Sequence, residues 1–259
     1  MADGTHLSRP IDPIIDNLAD WPAEKTIFPL KTVQIRVLSG IHPVVTGHGD
    51  EIAQNWAGEI AANPALWDGQ MLFEDRISIT GDGLFAEAYV APFSSFLWWR
   101  RHSSRQQGRH IFAYPVLESS DGALVAIRMG QHTANAGQVY FASGSFEPMD
   151  LVDGVCDVEA NMRREVREET GLDLADAEAR GGFHASHFRA VVSLVKLYRF
   201  ALTADEMVAA IEKNMPVAED KEIAGAVAIR SADPEAQRYN ISMLPVLDWY
   251  FSGGSATFR

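Results

Sequence analysis

The 259-residue chain has one cysteine, Cys156, so it can form no internal disulfide and suits a reducing compartment. No apolar run approaches the roughly 20 residues that a membrane-spanning helix needs, so no membrane partner is expected. The start, MADGTHLSRPIDP, lacks a basic segment followed by an apolar stretch, and no secretory leader is expected. Together these absences point to the cytoplasm. Positive charge is scarce as well. Lys and Arg number 22 against 35 Asp and Glu, for a net charge of −13. A field of that sign repels a long nucleic acid. It leaves small phosphorylated ligands open, because a bound divalent cation inverts the local charge at a carboxylate-rich site. There is no internal repeat and no low-complexity tract.

Apolar residues make up 47% of the chain, enough for a sizeable core in one large domain or two modest ones. Residues 1–24, rich in Asp and Pro, read as a tail. Residues 32–39 alternate and are β-branched, which predicts a strand. Residues 49–63 predict a helix, with Asp50 as cap and Ile52, Trp56 and Ile60 at helical spacing, ended by Asn63-Pro64. Residues 70–91 predict a hairpin around Gly81-Asp82-Gly83. The stretch 93–110 is aromatic, then basic, without a period, and marks a boundary. The expected division is an α/β extension over 25–105 and a second domain over 106–259.

The second part is β-rich. Strands are predicted over 110–118 and 123–130, flanking Ser120-Asp121-Gly122, and over 137–145, 189–202 and 222–231. A helix is predicted over 157–169, with Asp157 as N-cap and Gly171 just past its end. A second spans 203–214, with Thr203 and Glu206 as a capping box, and a third closes the chain over 241–251. Alternation without regular βαβ spacing predicts an α/β (α+β) fold, with a mixed sheet packed between helices.

The chemistry-bearing segment is Arg164-Glu165-Val166-Arg167-Glu168-Glu169-Thr170-Gly171-Leu172. On a helix, Glu165, Glu168 and Glu169 stand at i, i+3 and i+4 and share a side. Three adjacent carboxylates repel one another unless a hard divalent cation compensates. Mg²⁺ does so with oxygen ligands while keeping waters and substrate phosphate oxygens. A solvated acidic helix face is the plainer alternative.

This segment resembles the second half of the Nudix box, G-x5-E-x7-R-E-U-x-E-E-x-G-U with U aliphatic. Every fixed position from Arg164 onward is present. The first half departs from the pattern, since strict spacing puts Asp150 at the box glycine and Cys156 at the first glutamate. A better alignment takes Gly144-Ser145-Phe146-Glu147-Pro148-Met149-Asp150 as G-x5-D. Six inserted residues, Leu151 to Cys156, then precede the helix and read as a surface excursion.

The resemblance implies a Nudix-type mixed sheet over 106–259. It also implies a Mg²⁺-dependent pyrophosphohydrolase (Mn²⁺ as the substitute metal) acting on a nucleoside diphosphate linked to another moiety, such as a nucleotide sugar or ADP-ribose. Glu168 and Glu169 would be metal ligands, and Glu165 a third ligand or the base. Arg164 would orient a box carboxylate, and the Ser143 carbonyl would complete a metal site. A further carboxylate, Glu222 or else Glu219, would come from a later loop. The rival is a non-catalytic Nudix-fold module that senses a nucleotide or binds a protein. A homodimer is compatible with the chain.

Other features have plainer readings. Arg100, Arg101, Arg105 and Arg109 form a basic run that could hold a phosphate but reads first as a solvated linker. Trp98 and Trp99 read as core, with at most one lining a pocket. His184 and His187 flank Ser186 without the acidic partner or oxyanion loop of a serine hydrolase, and read as loop residues near the substrate. Cys156 has no metal-ligand spacing and reads as inert.

Overall fold

β-Branched and aromatic residues at alternating positions build the strands that frame the molecule. The computed structural model describes residues 14–17, 20–102, 107–216 and 222–254. The first part holds β1 (Phe28–Leu30), β2 (Thr32–Leu38), α1 (Pro43–Ala62), β3 (Gln70–Thr80), β4 (Gly83–Pro92) and α2 (Phe93–Arg101). Next come β5 (His110–Glu118), β6 (Leu124–Met129), β7 (Val139–Tyr140), β8 (Leu151–Val152) and β9 (Val155–Cys156). The last part holds α3 (Val158–Thr170), β10 (Ala177–Phe188), β11 (Val191–Phe200), α4 (Ala204–Asn214), β12 (Ile223–Ile229) and α5 (Met243–Phe251). Among the described residues no helix is long and apolar enough to cross a membrane.

The strands form two mixed sheets packed with helices, as the irregular alternation predicts. One sheet runs β1-β10-β11-β5-β6-β12, with β7 on β6; the other runs β3-β4-β2-β9-β8. β11 and β5 are parallel, with Val191 level with His110 and Val195 level with Tyr114. Each sheet borrows strands from the other half of the chain. β1 pairs with β10, Phe28 opposite Ala185. The hairpin β8–β9 joins β2, Arg36 opposite Val155. One apolar core spans both sheets, joining Ile35, Leu72 and Ile77 to Ile111, Met162, Val166 and Leu194.

Several elements differ from the sequence reading; the strand expected over 137–145 is only β7, Val139–Tyr140. The helix expected from residue 49 begins at Pro43, where His42 Nδ1 accepts the Val44 N–H at 3.0 Å, and it kinks at His48. Residues 93–101, aperiodic in sequence, form α2. Its first turn is held from a distance, because the Ser94 N–H donates to Asp68 Oδ1 at 2.7 Å. His184 and His187, read as loop residues, stand in β10, which runs over residues 177–188. Gly181-Gly182 hides the alternation there, and a bulge breaks the register between Arg180 and His184. Leu151–Cys156 is an edge hairpin rather than an excursion. Asp153 and Gly154 both take positive φ (50° and 79°), as a tight two-residue hairpin turn requires.

Candidate active site

Helix α3 is defined at both ends by its own sequence. Asp157 accepts the Ala160 N–H at 2.9 Å. Gly171, at φ 72°, turns the chain out of the helix, and a Cβ there would lie 2.4 Å from the Asn214 side chain. Val158, Met162 and Val166 enter the core. Glu165 and Glu169 fall on or beside that same stripe and are buried with it, whereas Glu168 lies further round the helix. Their environments differ. Glu165 and Glu169, one turn apart, are each only 7% exposed, whereas the Glu168 side chain is 44% exposed.

The loop after β7 closes over the buried pair. The Ser143 N–H donates to Glu169 Oε2 at 2.8 Å. Gly144 lies so close to Glu165 that a Cβ would come within 2.4 Å of Oε1 and 2.5 Å of Oε2. The loop is braced by Asp150, whose Oδ2 accepts the Glu147 N–H at 2.9 Å and Asn161 Nδ2 at 3.0 Å. Arg164 ties the loop to the helix. It bonds Asp150 at 3.1 Å, Glu165 Oε1 at 2.8 Å and Glu168 Oε2 at 3.0 Å.

Burial sets the protonation of the pair. It pushes Glu165 up to about 8, and the charges of Glu168, Glu147 and Asp150 add to this, against the opposing pull of Arg164. Glu169 is pushed well above the ordinary carboxylate range, by burial first and then by the charges of Glu165 and Glu222. Glu222 is exposed at the start of β12, and its carbonyl accepts the Gly130 N–H at 2.6 Å. Glu219 and Arg105 lie outside the described residues.

The donors here are hard carboxylate oxygens that raise one another's pKa, and the Gly144 backbone leaves the space that the Glu165 carboxylate fills. That set fits Mg²⁺ or Mn²⁺ better than a soft metal. Among the described residues no three carboxylate, imidazole or thiol groups form a ready-made cage. Mg²⁺ does not require one, since it is commonly held by one or two carboxylates with waters and substrate phosphates completing the shell.

Beside Ser143, Gly144 and Ser145 opens a cavity of about 370 Å³ with largely aromatic walls, among them Phe96, Trp99, Phe112, Tyr114 and Tyr140. Tyr114 and Tyr140 both feel the charge of Glu169, so this end of the cavity adjoins the carboxylates. Helix α2 also lines the cavity, contributing Phe93, Phe96, Trp99 and Arg100. Trp99 donates its indole N–H to the Gln107 carbonyl at 2.8 Å, which fixes the ring. Trp98 is packed between His48 and His102 and is core.

The other sequence candidates separate cleanly. In the basic run, Arg100 reaches the cavity, Arg101 pairs with Glu59 at 2.6 Å, and Arg109 bonds Asp16. Ser186 and His187 line the cavity from β10, with His187 Nε2 2.6 Å from the Pro22 carbonyl. His184 packs against Trp249 instead. Cys156 is buried, which pushes its thiol up and keeps it unreactive. Sequence reasoning missed Phe93, Phe96, Phe112, Lys25 and Arg189 as cavity residues. The run Phe93–Trp99 was the one available signal.

No family model matches the chain, and no curated protein does. Solved structures resemble it over somewhat more than half of its length, among them the three that follow. DR0079 from Deinococcus radiodurans is 13% identical, covering 55% of this chain and 83% of its own, with a TM-score of 0.40. The MutT protein from Methanosarcina mazei Go1 is 14% identical, covering 56% and 95%, with a TM-score of 0.39. The Nudix hydrolase RenU from M. smegmatis is 12% identical, covering 58% and 88%, with a TM-score of 0.38. Likeness at this level carries no weight for activity, which is argued from the residues of this chain.

Proposed function

We propose that this chain is a divalent-metal-dependent pyrophosphohydrolase of the Nudix type, acting on a nucleoside diphosphate joined to another moiety. The observation that carries the reading is the buried pair Glu165 and Glu169, held under the Ser143–Gly144 backbone at the end of an aromatic cavity. Buried carboxylates without a full set of partners are costly. Here each has one side toward the protein, Arg164 for Glu165 and the Ser143 N–H for Glu169.

In this reading Glu168 and Glu169 would hold Mg²⁺ or Mn²⁺, with Glu222 and the Ser143 carbonyl completing the sites and Glu165 left as the base. When bound, the metal supplies Lewis-acid stabilisation of the phosphoryl charge and a more acidic water. Glu165, seated under Gly144 and held by Arg164, would take the proton of the attacking water. Arg164 keeps Glu165 and Glu168 in register with the Asp150 loop. The organic moiety lies in the cavity, where Phe96, Trp99 and Phe112 offer ring faces.

The test is turnover of a panel of nucleotide sugars, ADP-ribose, dinucleotides and nucleoside triphosphates with Mg²⁺, with Mn²⁺ and with EDTA. Metal-dependent release of a nucleoside monophosphate that Glu169→Gln abolishes supports the reading. Tight binding with no turnover under any metal would refute it.

A further inference from the structure

The lining of the cavity carries positive charge in an acidic chain. Lys25 and Arg189 both belong to it. Both rest on one ring, the Lys25 Nζ 4.4 Å and the Arg189 guanidinium 5.0 Å from the centroid of Phe188. A reciprocal clip holds their backbones. The Lys25 N–H donates to the His187 carbonyl at 2.8 Å, and the Arg189 N–H donates to Glu24 Oε1 at 2.7 Å. Glu24 is the acidic group in this clip, and it is engaged by that backbone N–H.

The backbone makes the choice of these two side chains informative. Among the described residues, three that are not glycine take positive φ: Lys25 at 60°, Asp153 at 50° and Arg189 at 56°. Asp153 sits in the tight turn of β8–β9, where such residues are at home. Lys and Arg are not residues that positive φ favours, and each costs about 1 kcal/mol relative to glycine there. The clip explains the backbone conformation, and glycine or asparagine would satisfy it better. Strain of this kind gathers where a side chain is needed. Stacking on Phe188 fixes where the two charges sit without neutralising them.

A length along the cavity follows from the sheet. The β10–β11 turn is level with His110 on β5, and Tyr114, at the end of the cavity that feels the charge of Glu169, stands further along the same strand. Four strand residues separate them, about 13 Å. Arg100 lines the cavity from the α2 side. We infer that Lys25 and Arg189 form a subsite for a second anionic group, phosphate or carboxylate, on the far side of the substrate's organic moiety from the scissile diphosphate. This deepens the proposed function, since it assumes that the cavity holds the substrate. It narrows the class to diphosphate compounds that carry an additional anion.

The experiment measures binding by calorimetry in EDTA, on the full chain, with two pairs of probes. ADP-ribose 2′-phosphate against ADP-ribose reports a phosphate, and UDP-glucuronate against UDP-glucose reports a carboxylate. The more anionic member of at least one pair should bind about tenfold more tightly or better, as expected for hydrogen bonds to a charged group. The pair that shows the preference identifies the anion. In Lys25→Gly/Arg189→Gly the preference should fall to about onefold. Glycine suits both backbones, so the melting temperature should hold or rise. The exchange Lys25→Arg/Arg189→Lys should retain the preference. A ratio near one for both pairs in the wild type, a preference that survives the double glycine variant, or no binding of any of the four probes overturns the subsite. Metal-dependent turnover that Glu169→Gln abolishes would leave the proposed function standing in each of those cases.

Discussion

Gly144→Ala tests the geometry of the site more sharply than removal of a carboxylate. A Cβ on residue 144 would fall 2.4, 2.5 and 2.6 Å from Oε1, Oε2 and Cδ of Glu165. Ordinary contacts between such atoms lie near 3.5 Å, so the carboxylate must retreat by about 1 Å. The Gly144 backbone is compatible with alanine, because its φ is not in the left-handed region. The displaced group is the end of a side chain, so the cost to folding is that of an off-rotamer Glu165, about 0.5–1.5 kcal/mol. For a chain of this size that lowers the melting temperature by about 1–6 °C. The cost to catalysis is larger, since a misplacement of about 1 Å at a reacting group lowers the rate about 100-fold.

The assay is kcat with Mg²⁺ on the best substrate of the panel, alongside thermal unfolding. A double-mutant cycle with Glu165→Gln separates cause from coincidence. If Gly144 matters through Glu165, adding Gly144→Ala to Glu165→Gln should slow the enzyme little further. A Gly144→Ala enzyme with wild-type kcat and an unchanged metal requirement would refute the placement of Glu165 at the reaction centre.

Three further outcomes are expected. Glu168→Gln and Glu169→Gln should each lower kcat about 100-fold or more with the far-UV circular dichroism unchanged, because a lost ligand removes charge stabilisation in the transition state; full metal-dependent activity in either would remove it from the site. Glu74, fully buried on β3, is pushed well above the ordinary carboxylate range by burial, although its Oε2 accepts the Ile111 N–H at 2.9 Å. Its protonated form is the one the fold favours, so its contribution is fully present below about pH 4.5 and is lost as the pH rises toward the folded value. Glu74→Gln should therefore flatten the decline in denaturant stability between pH 5 and 8 and stabilise the protein most at pH 8; a steeper decline would show that Glu74 is ionised in the fold. A fragment of residues 106–259 loses β1 from the β10 edge and the α2 wall of the cavity. It should aggregate, or if solubilised show a raised KM, and a soluble fragment with unchanged KM would show that α2 does not shape the pocket.

What was legible in the sequence is what local chemistry decides. The N-cap Asp157, the end at Gly171 and the Thr203–Glu206 capping box are short-range devices, and all three stand in the structure. The carboxylate spacing of α3 was equally plain. What the sequence could not give depends on distant partners. α2 is capped by Asp68, 26 residues earlier. β10 has poor strand chemistry at Gly181-Gly182 and is held by β11 on one edge and β1 on the other. The unequal exposure of Glu165, Glu168 and Glu169 follows from the Ser143–Asp150 loop, which periodicity does not see. The cavity is the extreme case. Its walls come from segments near residues 25, 96, 112, 143, 187 and 241, which only the fold brings together.

On the proposed function, the charge pattern around α3 would give one arginine and a divalent metal complementary parts. Glu147, Asp150, Glu165 and Glu168 all act on Arg164 or on its bonded partners. One guanidinium cannot balance that many carboxylates, and it stands on the solvent-facing and loop-facing side of the group. Glu169, the most deeply placed, has the Ser143 N–H on one oxygen and feels Glu165 and Glu222 as repulsion. A fixed dipole of that kind offsets a fraction of a charge, not a whole one. The residual negative potential therefore lies on the cavity side of the helix, between Glu165 and Glu169. In a dry site a divalent cation brought there gains more than the same cation would at the exposed Glu168 edge. Arg164 thus does two things that a metal could not do alone. It holds the loop and helix together before any ion arrives, and it confines the uncompensated charge to the side from which a diphosphate would approach.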